Sequence, residues 1–424
     1  MSRLRTNDAG PSVSPSTKTP LHVVIAGGGI AALEATMALR DLAEDRVRIT
    51  VVAPERDFEL KSLRTAEPFS VDHVPRYPLA DILGSFGAQL RSTGLASIDA
   101  DRHAVLMDDG AELSYGALVL AVGARPRPAY DRVLTFGAGP KSELFSGLLA
   151  DLEQGSTRSV AFVVPPGVSW PLPLYELALM TAHEVWGMGI DDAAIHLVTS
   201  EFSPLAIFGP EPSAAVSSLL GEAGITFHGH AEAKIQSGHL MLRPGNERLD
   251  VGRIVALPIL DGPQIPGVPA DEHGFIPTDE HGRVRGLTDV YAAGDATDFP
   301  VKQGGLACQQ ADAIAEHLAA AAGASIEAQP FRPVLRGKLL TGRGSRFLRH
   351  ELDGGPDEGT ASDFKLWFPP TKVSGKYLSQ WLPRLDEAHQ PPAPGEPHVE
   401  IEVPLPSTDN LGQRGMLLNP YSPV

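Results

Sequence analysis

A short glycine-rich segment near the start of the chain has the spacing of a phosphate-binding turn. Gly27, Gly29 and Ala32 satisfy the pattern G-x-G-x-x-A between an apolar strand-like run and a segment of good helix formers. Gly27 permits a tight turn, Gly29 lets a pyrophosphate approach the backbone, and Ala32 lets the helix pack closely on the strand. The free N–H groups and positive dipole at the helix start, where Ile30 and Ala31 lie, would hold the anion.

A carboxylate follows where such a site needs one. A second strand, predicted over residues 47–53, is followed by Glu55, which comes 23 positions after Ala32. A carboxylate in this place can accept hydrogen bonds from both ribose hydroxyls of a dinucleotide. Strand, turn, helix, strand and acid together predict a dinucleotide site, and these residues alone leave NAD and FAD as alternatives.

The surrounding elements must place this turn at the edge of a sheet. Strands and helices alternate from residue 21, short strands follow over residues 94–124, and a second alternation runs over residues 159–227. Such alternation is typical of doubly wound parallel sheets, which bind ligands at the carboxyl ends of their strands. We therefore predict an α/β fold with two Rossmann-like dinucleotide-binding domains and a small C-terminal segment.

Composition excludes several classes of protein. The chain has 424 residues, of which 42% are hydrophobic, and a formal net charge of −17, so we expect globular domains and no nucleic-acid partner. The single cysteine, Cys308, excludes an intramolecular disulfide and a Cys-x-x-Cys pair. We find no secretory signal and no apolar run of about 18 residues. We expect a cytoplasmic protein, with peripheral attachment at the inner face of the membrane as an open alternative.

Two later motifs resemble those of a known flavoprotein family. Residues 115–126, which include Ala121 and Gly123, resemble its "ATG" strand, and the segment ending in Gly294 and Asp295 resembles its second FAD motif. With the glycine turn, the three motifs follow the family's order and spacing. The chain therefore resembles the FAD-dependent pyridine nucleotide-disulfide oxidoreductases, which are two-dinucleotide-domain flavoproteins. Within them it most resembles the branch of sulfide:quinone oxidoreductases and type II NADH dehydrogenases.

The resemblance implies FAD as the cofactor and gives roles to individual residues. It implies that Asp295 binds the ribityl chain or the pyrophosphate, and that Glu55 binds the adenosine ribose. It also implies that the helix beginning at Gly304, Gly305 and Leu306 directs its N-terminus at the flavin pyrimidine. There the helix dipole and backbone N–H groups would stabilise the negative charge of the reduced flavin.

Each of two basic residues near these motifs can be interpreted in two ways. Arg64 lies in the loop that passes the flavin in the family, or it belongs to an ordinary surface loop. Lys302 adds a charge near the flavin ring, or it is a solvated lysine at a helix start. No residue has the spacing of a nucleophile or an acid–base catalyst, so the catalytic candidates are Lys302, Gly305 and Leu306 in the flavin shell.

The domain boundaries follow the motifs. The predicted divisions are a flexible arm at residues 1–20, an FAD-binding domain at 21–150 and 265–330, an NAD(P)-binding-like domain at 151–264, a C-terminal domain at 331–385 and a Pro-rich tail at 386–424.

The matching turn of the second domain departs from the family pattern. Between residues 164 and 176 it has one glycine, Gly167, and four prolines, and proline offers no N–H to a phosphate. Binding of NADH or NADPH is thus weakened without being excluded. Glu201 ends the next strand and would suit a nicotinamide-nucleotide ribose, favouring NADH, or it is a solvated acid. Glu176 lies early in the helix, where the resemblance implies a glutamate near the nicotinamide, and without the glycines it is a weaker candidate.

Cysteine and histidine carry little further chemistry in this sequence. Cys308 is best explained as a small packed residue, which disfavours sulfide oxidation because that mechanism in the family uses paired cysteines. His228 and His230 share one strand face without an evident third ligand, so we predict no metal site.

The C-terminal segment differs in charge from the rest of the chain. Residues 334–384 hold nine Lys and Arg against five Asp and Glu, interleaved with aromatic residues. This mixture is typical of an interfacial membrane segment or a quinone-entry region, and a homodimer face or a plain cover over the flavin are alternatives.

The sequence therefore predicts an FAD-dependent oxidoreductase that passes electrons from a donor, foremost NAD(P)H, to an acceptor such as a quinone. One alternative is a sulfide or sulfur-compound:quinone oxidoreductase. The other is a flavin-bound interaction protein or a partner-fed electron-transfer protein without a nicotinamide site of its own.

Overall fold

The computed structural model describes residues 19–69, 74–137, 143–236, 239–352 and 359–389. The predicted N-terminal arm and Pro-rich tail therefore lie almost entirely outside the described residues. The α-helices are α1 (Ile30–Ala43), α2 (Leu79–Ser85), α3 (Glu143–Glu153), α4 (Leu172–Gly187), α5 (Pro210–Glu222), α6 (Gly304–Ala321) and α7 (Leu378–His389).

The strands fall into parallel sheets and small antiparallel sheets. In chain order they are β1 (Leu21–Ala26), β2 (Val47–Val52), β3 (Asp57–Glu59), β4 (Arg76–Pro78), β5 (Gln89–Arg91), β6 (Leu95–Asp99), β7 (Ala104–Met107), β8 (Glu112–Ser114), β9 (Ala117–Leu120), β10 (Arg125–Arg127), β11 (Leu134–Thr135), β12 (Ser159–Val163), β13 (Ala194–Val198), β14 (Ile225–His228), β15 (Glu232–Gln236), β16 (His239–Arg243), β17 (Glu247–Leu249), β18 (Arg253–Ala256), β19 (Ile259–Asp261), β20 (Val290–Ala292), β21 (Val334–Leu340), β22 (Ser345–Glu351) and β23 (Thr360–Ser362).

The first parallel sheet has the strand order β20-β9-β1-β2-β5 and is covered on both faces. Alternate side chains of β1 explain this: Val23 and Ile25 pack against α1 and α6, whereas Val24 packs with the β6-β7-β8 sheet. Burial on both faces is why residues 23–26 of β1 are an unbroken apolar run. The chain order reverses at β1 and β9, so a crevice opens between the carboxyl ends of these two strands.

The second parallel sheet has the order β11-β18-β12-β13-β14. Its helices α3, α4 and α5 pack on one face, and the β15-β16-β17 sheet packs on the other. The predicted α/β class with two such sheets is thus confirmed.

One predicted boundary is wrong. Strand β11 and helix α3, placed in the first domain by the division at residue 150, join the second sheet and its core. The short β11 pairs only with β18, more than a hundred residues later, so local sequence carries no signal for its membership. Helix α5 begins at Pro210, because proline is favoured in the first helical turn.

The C-terminal segment forms an antiparallel sheet, β21-β22-β23, followed by α7. Leu335, Leu339 and Leu348 of this sheet are buried in the core of the second domain together with Leu306 of α6. Helix α7 continues to His389, past the predicted start of the tail at residue 386. The segment therefore covers the junction of both domains beside the start of α6.

Candidate dinucleotide-binding site

The glycine turn lies at the carboxyl end of the central strand β1. Gly27 has φ +119°, and a Cβ placed on it would lie 2.2 Å from the carbonyl oxygen of Ala121 at the end of β9. Its own N–H donates to Val52 O of β2 at 2.8 Å. Gly27 is therefore fixed as glycine by the close approach of neighbouring strands, and the turn joins the three central strands of the sheet.

Gly29 faces open space. It precedes α1, whose N-terminus has no side-chain cap, and a Cβ placed on Gly29 would meet nothing within 4 Å. Ile30 and Ala31 begin the helix, and Ala32 is buried against the sheet. Open space in front of uncapped helical N–H groups is what an anionic pyrophosphate requires.

Substitution of Gly29 by alanine separates this role from folding. We expect the variant to fold as the wild type does, because φ at Gly29 is −91° and the added methyl group meets no protein atom. The methyl group occupies the space that the pyrophosphate needs, so FAD affinity is expected to fall about tenfold or more. Titration of the apoprotein with FAD, followed by flavin fluorescence, measures this.

Gly221→Ala is the matched control, since Gly221 lies inside α5 and also has open space at its Cβ position. This control is expected to leave FAD affinity unchanged. Equal FAD affinity in Gly29→Ala and in the control would contradict our placement of the pyrophosphate.

Glu55 follows the end of β2 on the same sheet edge. Its carboxylate is exposed, and its Oε2 lies 3.6 Å from the position that a Cβ on Gly28 would occupy. The structure therefore brings the acid and the glycine turn together, as the sequence spacing predicts.

Asp295 lies past the end of β20, at the same edge. Its carboxylate has no hydrogen-bond partner among the described residues. Burial raises the pKa of Asp295, and the nearby charges of Lys302 and Lys61 counteract the rise. Gly294, before it, has φ +77° and donates its N–H to Gln310 Oε1 at 2.7 Å. A largely desolvated acceptor without a donor fits a bound group that supplies hydroxyl donors.

Lys302 is not a solvated lysine, so that alternative is wrong. Its Nζ donates to the carbonyl oxygen of Thr297 and lies 3.7 Å from the centroid of the Phe275 ring. Burial lowers the pKa of Lys302 to about 8, and Asp295 is the foremost of the carboxylates that oppose this shift. These contacts hold the Lys302 ammonium group near the carboxylate of Asp295.

The start of α6 is only partly free to face a ligand. The side chain of Gln303 caps this helix by accepting the N–H of Leu306 at 2.8 Å. The prediction that the Leu306 N–H is a free donor is therefore wrong, and Gly304 and Gly305 remain as candidates. A Cβ on Gly304 would lie 3.1 Å from Val373 Cγ2, so the C-terminal segment packs directly on this end of the helix.

The predicted residues of the second motif and of the following loop have mixed roles. The N–H of Ala121 is bonded to Ala26 O at 2.8 Å, and Gly123 has φ +73° with open space at its Cβ position. Arg64 is engaged in an ion pair with Glu59 Oε2 at 2.8 Å. Its guanidinium thus has a fixed protein partner, and direct contact with FAD stays a prediction.

The turn of the second domain offers few free N–H groups to a phosphate, as its sequence predicts. Gly167 has φ +85°, and the N–H of Val168 is bonded back to Pro165 O at 3.2 Å. In the first turn of α4, Pro173 has no N–H and the N–H of Leu174 donates to Pro171 O at 2.9 Å. Fewer donors are therefore left for a phosphate here than at Gly29.

Glu176 does not face a ligand. Its carboxylate is completely buried and accepts hydrogen bonds from Thr65 Oγ1 at 2.8 Å, Lys372 Nζ at 2.5 Å and the N–H of Leu340 at 3.0 Å. Lys372 also donates to Ser62 O at 3.1 Å. The proposed nicotinamide contact of Glu176 is thus not supported, because its oxygens join the first domain, α4 and the C-terminal segment.

Glu201 lies just beyond the end of β13, where the sequence places it. It accepts hydrogen bonds from Tyr175 Oη at 2.7 Å and Thr199 Oγ1 at 3.1 Å. Burial raises the pKa of Glu201. The carboxylate is half-buried and oriented by two hydroxyl groups, so it is not the solvated acid of the alternative interpretation.

Cys308 is fully buried in α6. Burial, and then the nearby carboxylates of Glu34 and Asp312, raises its pKa well above the ordinary value. The reactive thiolate is therefore disfavoured, in agreement with a packed residue. Glu34 itself caps α7 by accepting the N–H groups of Tyr377 at 2.8 Å and Leu378 at 2.7 Å.

The histidines do not form the pair that the sequence suggests. His228 Nε2 lies 3.2 Å from His196 Nδ1 on the neighbouring strand, whereas His230 contacts the ring of Phe202. Within the described part of the chain no group of three or more metal-binding side chains occurs.

Sequence reasoning missed Lys372 and Glu34 as structural links. Lys372 contacts Glu176 across 196 positions and Glu34 reaches Leu378 across 344 positions, so no local pattern marks either contact. For Glu34 the available signal was an acid on an otherwise apolar face of α1, whereas Lys372 lies in a basic segment and carries no such signal.

Comparison with known proteins supports the same fold and family. No family model matches the chain. A sulfide-quinone reductase of Aquifex aeolicus (strain VF5) is 29% identical over 188 residues, or 40% of this chain and 40% of that protein. An NADH dehydrogenase-like protein of Mycobacterium tuberculosis (strain ATCC 25618 / H37Rv) is 28% identical over 296 residues, or 65% of this chain and 72% of that protein.

A solved structure gives the same result for the fold. The crystal structure of the sulfide:quinone oxidoreductase from Aquifex aeolicus matches with a TM-score of 0.73 at 20% identity, covering 81% of this chain and 86% of that chain. The predicted family, fold class and FAD cofactor are confirmed by these relatives, whereas the individual site residues stay predictions. With its two parallel sheets, its open glycine turn and these relatives, the chain is similar in fold and sequence to the FAD-dependent pyridine nucleotide-disulfide oxidoreductases.

Proposed function

We propose that the protein is an FAD-dependent oxidoreductase that passes electrons from NAD(P)H to an acceptor such as a quinone. The observation that carries this proposal is the edge of the first sheet, where an unpartnered Asp295 carboxylate and the open turn at Gly29 lie at the strand-order reversal. FAD, when bound, supplies the chemistry of accepting an electron pair and releasing it.

The protein's own residues would bind and orient this cofactor. The N–H groups after Gly29 would hold the pyrophosphate, Glu55 would accept the adenosine ribose hydroxyls, and Asp295 would accept a ribityl hydroxyl. Lys302 lies near Asp295, and its positive charge counteracts the rise that burial causes in the pKa of this acid. The uncapped N–H groups of Gly304 and Gly305 would stabilise negative charge near the pyrimidine ring.

The donor is tested by anaerobic reduction of the purified, FAD-loaded protein. We expect NADH to bleach the flavin band faster than NADPH, because the oriented Glu201 carboxylate would accept ribose hydroxyls and repel a 2′-phosphate. Glu201→Gln removes the charge, and the ratio of the two bleaching rates is expected to fall about tenfold. Stopped-flow absorbance gives both rates.

Asp250→Asn is the control, since Asp250 is exposed and pairs with Arg248 away from the second sheet's carboxyl edge. A ratio that Glu201→Gln leaves at the wild-type value would contradict the assignment of Glu201. Bleaching by sulfide without NADH would instead support the sulfide:quinone alternative. A yellow protein that no donor reduces would support a partner-fed or non-catalytic flavoprotein.

For the acceptor side, we infer peripheral contact of the C-terminal segment with an anionic membrane surface. Phe364 and Phe368 are 83% and 81% exposed, and the basic Lys365 lies between them. Exposed aromatic rings next to a cation are typical of interfacial attachment. Among the described residues, no helix is long and apolar enough to cross a bilayer.

Replacement of both phenylalanines tests the membrane contact. We expect Phe364→Ser/Phe368→Ser to lose most sedimentation with vesicles containing anionic lipid, while FAD content stays unchanged. Phe202→Ser removes an equally exposed aromatic ring from the second domain and serves as the control. Wild-type protein that stays in the supernatant, and that is a dimer in solution, would favour the homodimer alternative for residues 331–385.

A further inference from the structure

A cavity lies away from the dinucleotide site. It has a volume of about 510 Å³, is open to solvent on one side, and is bounded by α4, α5 and the turn between β21 and β22. Leu179, Ala182 and Leu219 form its apolar floor. His183, on its wall, is 11 residues beyond the start of α4, or about 16 Å along the helix axis. Because α4 begins at the carboxyl edge of the second sheet, the cavity is separate from that edge.

One wall of the cavity is an aromatic platform. The indole ring of Trp186 is 68% exposed and lies nearly parallel to the ring of His183, with an angle of 20° and a centroid distance of 6.2 Å. The guanidinium carbon of Arg343 lies 5.4 Å from the Trp186 centroid. A large exposed apolar ring beside a cavity favours stacking of a planar ring in the ligand.

The cavity also presents donors that the protein does not satisfy. His183 Nδ1 is buried and has no hydrogen-bond partner within the described ranges. The backbone at Gly342 packs closely against His183, because a Cβ at position 342 would lie 2.5 Å from His183 Cβ. Arg343 has no ion-pair partner among the residues that the structure describes. Such groups need acceptor atoms from outside the protein.

Two carboxylates limit the charge that the cavity can accept. Asp363 Oδ1 lies 3.3 Å from Arg346 Nε and neutralises this guanidinium, and Glu222 is the second acid at the wall. Arg343 is therefore the cation left for a ligand. A ligand with one anionic group beside its ring matches this balance better than a polyanion.

We propose that this cavity binds a planar aromatic ring that carries an anionic group. The ring stacks on Trp186, and the anionic group accepts hydrogen bonds from Arg343. Two sources share this chemistry: a free aromatic carboxylate, and a nucleoside monophosphate with its base on the indole ring. The site is independent of the FAD site and of the proposed function.

Calorimetric titration of the full-length, FAD-saturated protein tests the proposal with 2-naphthoate and AMP as separate probes. We expect at least one of them to bind with a Kd below about 1 mM, and the neutral 2-naphthamide to bind at least about tenfold more weakly than 2-naphthoate. Trp186→Ala and Arg343→Gln are each expected to weaken binding about tenfold. FAD content reports that these variants are folded.

The control variants separate this cavity from other surfaces. Phe202→Ala removes an exposed aromatic ring outside the cavity, and Arg102→Gln removes an exposed arginine paired with Glu112; both are expected to retain wild-type affinity. Binding of 2-naphthoate alone identifies the carboxylate source, and binding of AMP alone identifies the nucleotide. Absence of heat from both probes at millimolar concentration, or binding that Trp186→Ala and Arg343→Gln both retain, would overturn the proposal.

Discussion

Replacement of Asp295 by alanine is expected to give a folded protein that has lost most of its FAD. The carboxylate has no hydrogen-bond partner among the described residues, so its removal breaks no such contact within the protein. Loss of a charged acceptor for a ribityl hydroxyl is expected to weaken FAD binding about 10- to 100-fold. The flavin-to-protein absorbance ratio after purification, and titration of the apoprotein with FAD, measure the loss.

The same substitution has a signature in the stability of the apoprotein. The pKa of Asp295 is raised in the folded state by burial, so the folded state holds this proton more tightly than the unfolded chain does. The resulting cost is therefore absent below the unfolded pKa of about 3.9 and develops as the pH rises through the folded pKa. Relative to apo wild type, apo Asp295→Ala is expected to gain stability as the pH rises from about 4 to about 7, because only the wild type carries this cost.

Two further variants make the Asp295 experiment decisive. Asp298→Ala removes an exposed acid three positions later and is expected to keep its FAD. Glu55→Arg places a cation where the adenosine ribose would lie and is expected to lose FAD as Asp295→Ala does. Stoichiometric FAD in both Asp295→Ala and Glu55→Arg would refute the site assignment.

Lys372→Met is expected to lower the free energy of unfolding by about 3–5 kcal/mol, because it leaves the Glu176 carboxylate without its cation in the interior. The side chain of Lys372 is 7% exposed and that of Glu176 is 0% exposed, so water cannot replace the lost partner. Denaturation with urea, followed by circular dichroism, measures the change.

The double variant Glu176→Gln/Lys372→Met separates the ion pair from packing. Removing both charges is expected to recover most of the lost stability, since no unpaired charge is then buried. Lys365→Met changes an exposed lysine of the same segment and is expected to shift stability by less than about 0.5 kcal/mol. Additive losses in the double variant would show that the two side chains act independently.

The same ion pair links the C-terminal segment to both domains. Lys372 touches the loop at Thr65 and helix α4 at Glu176, and Val373 packs on the start of α6 at Gly304. Loss of the pair is therefore expected to loosen the cover over this end of α6 in addition to lowering global stability. Faster hydrogen exchange at residues 334–340 in Lys372→Met than in Lys365→Met would report this loosening.

Local sequence patterns by themselves determined the first half of the candidate site. The spacing of Gly27, Gly29 and Ala32 and the position of Glu55 follow from the geometry of one strand, turn, helix and strand unit. Asp295 was placed through a motif that also lies within one strand and its following turn. Contacts between residues close in sequence, or at equivalent edges of one sheet, depend little on the rest of the fold, which is why these residues lie at one sheet edge as their spacing predicts.

Tertiary structure alone decided which candidates have groups left for a ligand. The Leu306 N–H is bonded to Gln303, Arg64 is paired with Glu59, and Glu176 is buried against Lys372. The family resemblance implied the first and third of these as ligand contacts, but the partners that occupy them are set by side-chain orientation or by segments far along the chain. Burial makes such pairing obligatory, because an unpaired polar group in the interior costs more free energy than an exposed one, and burial is a property of the packed molecule rather than of its sequence.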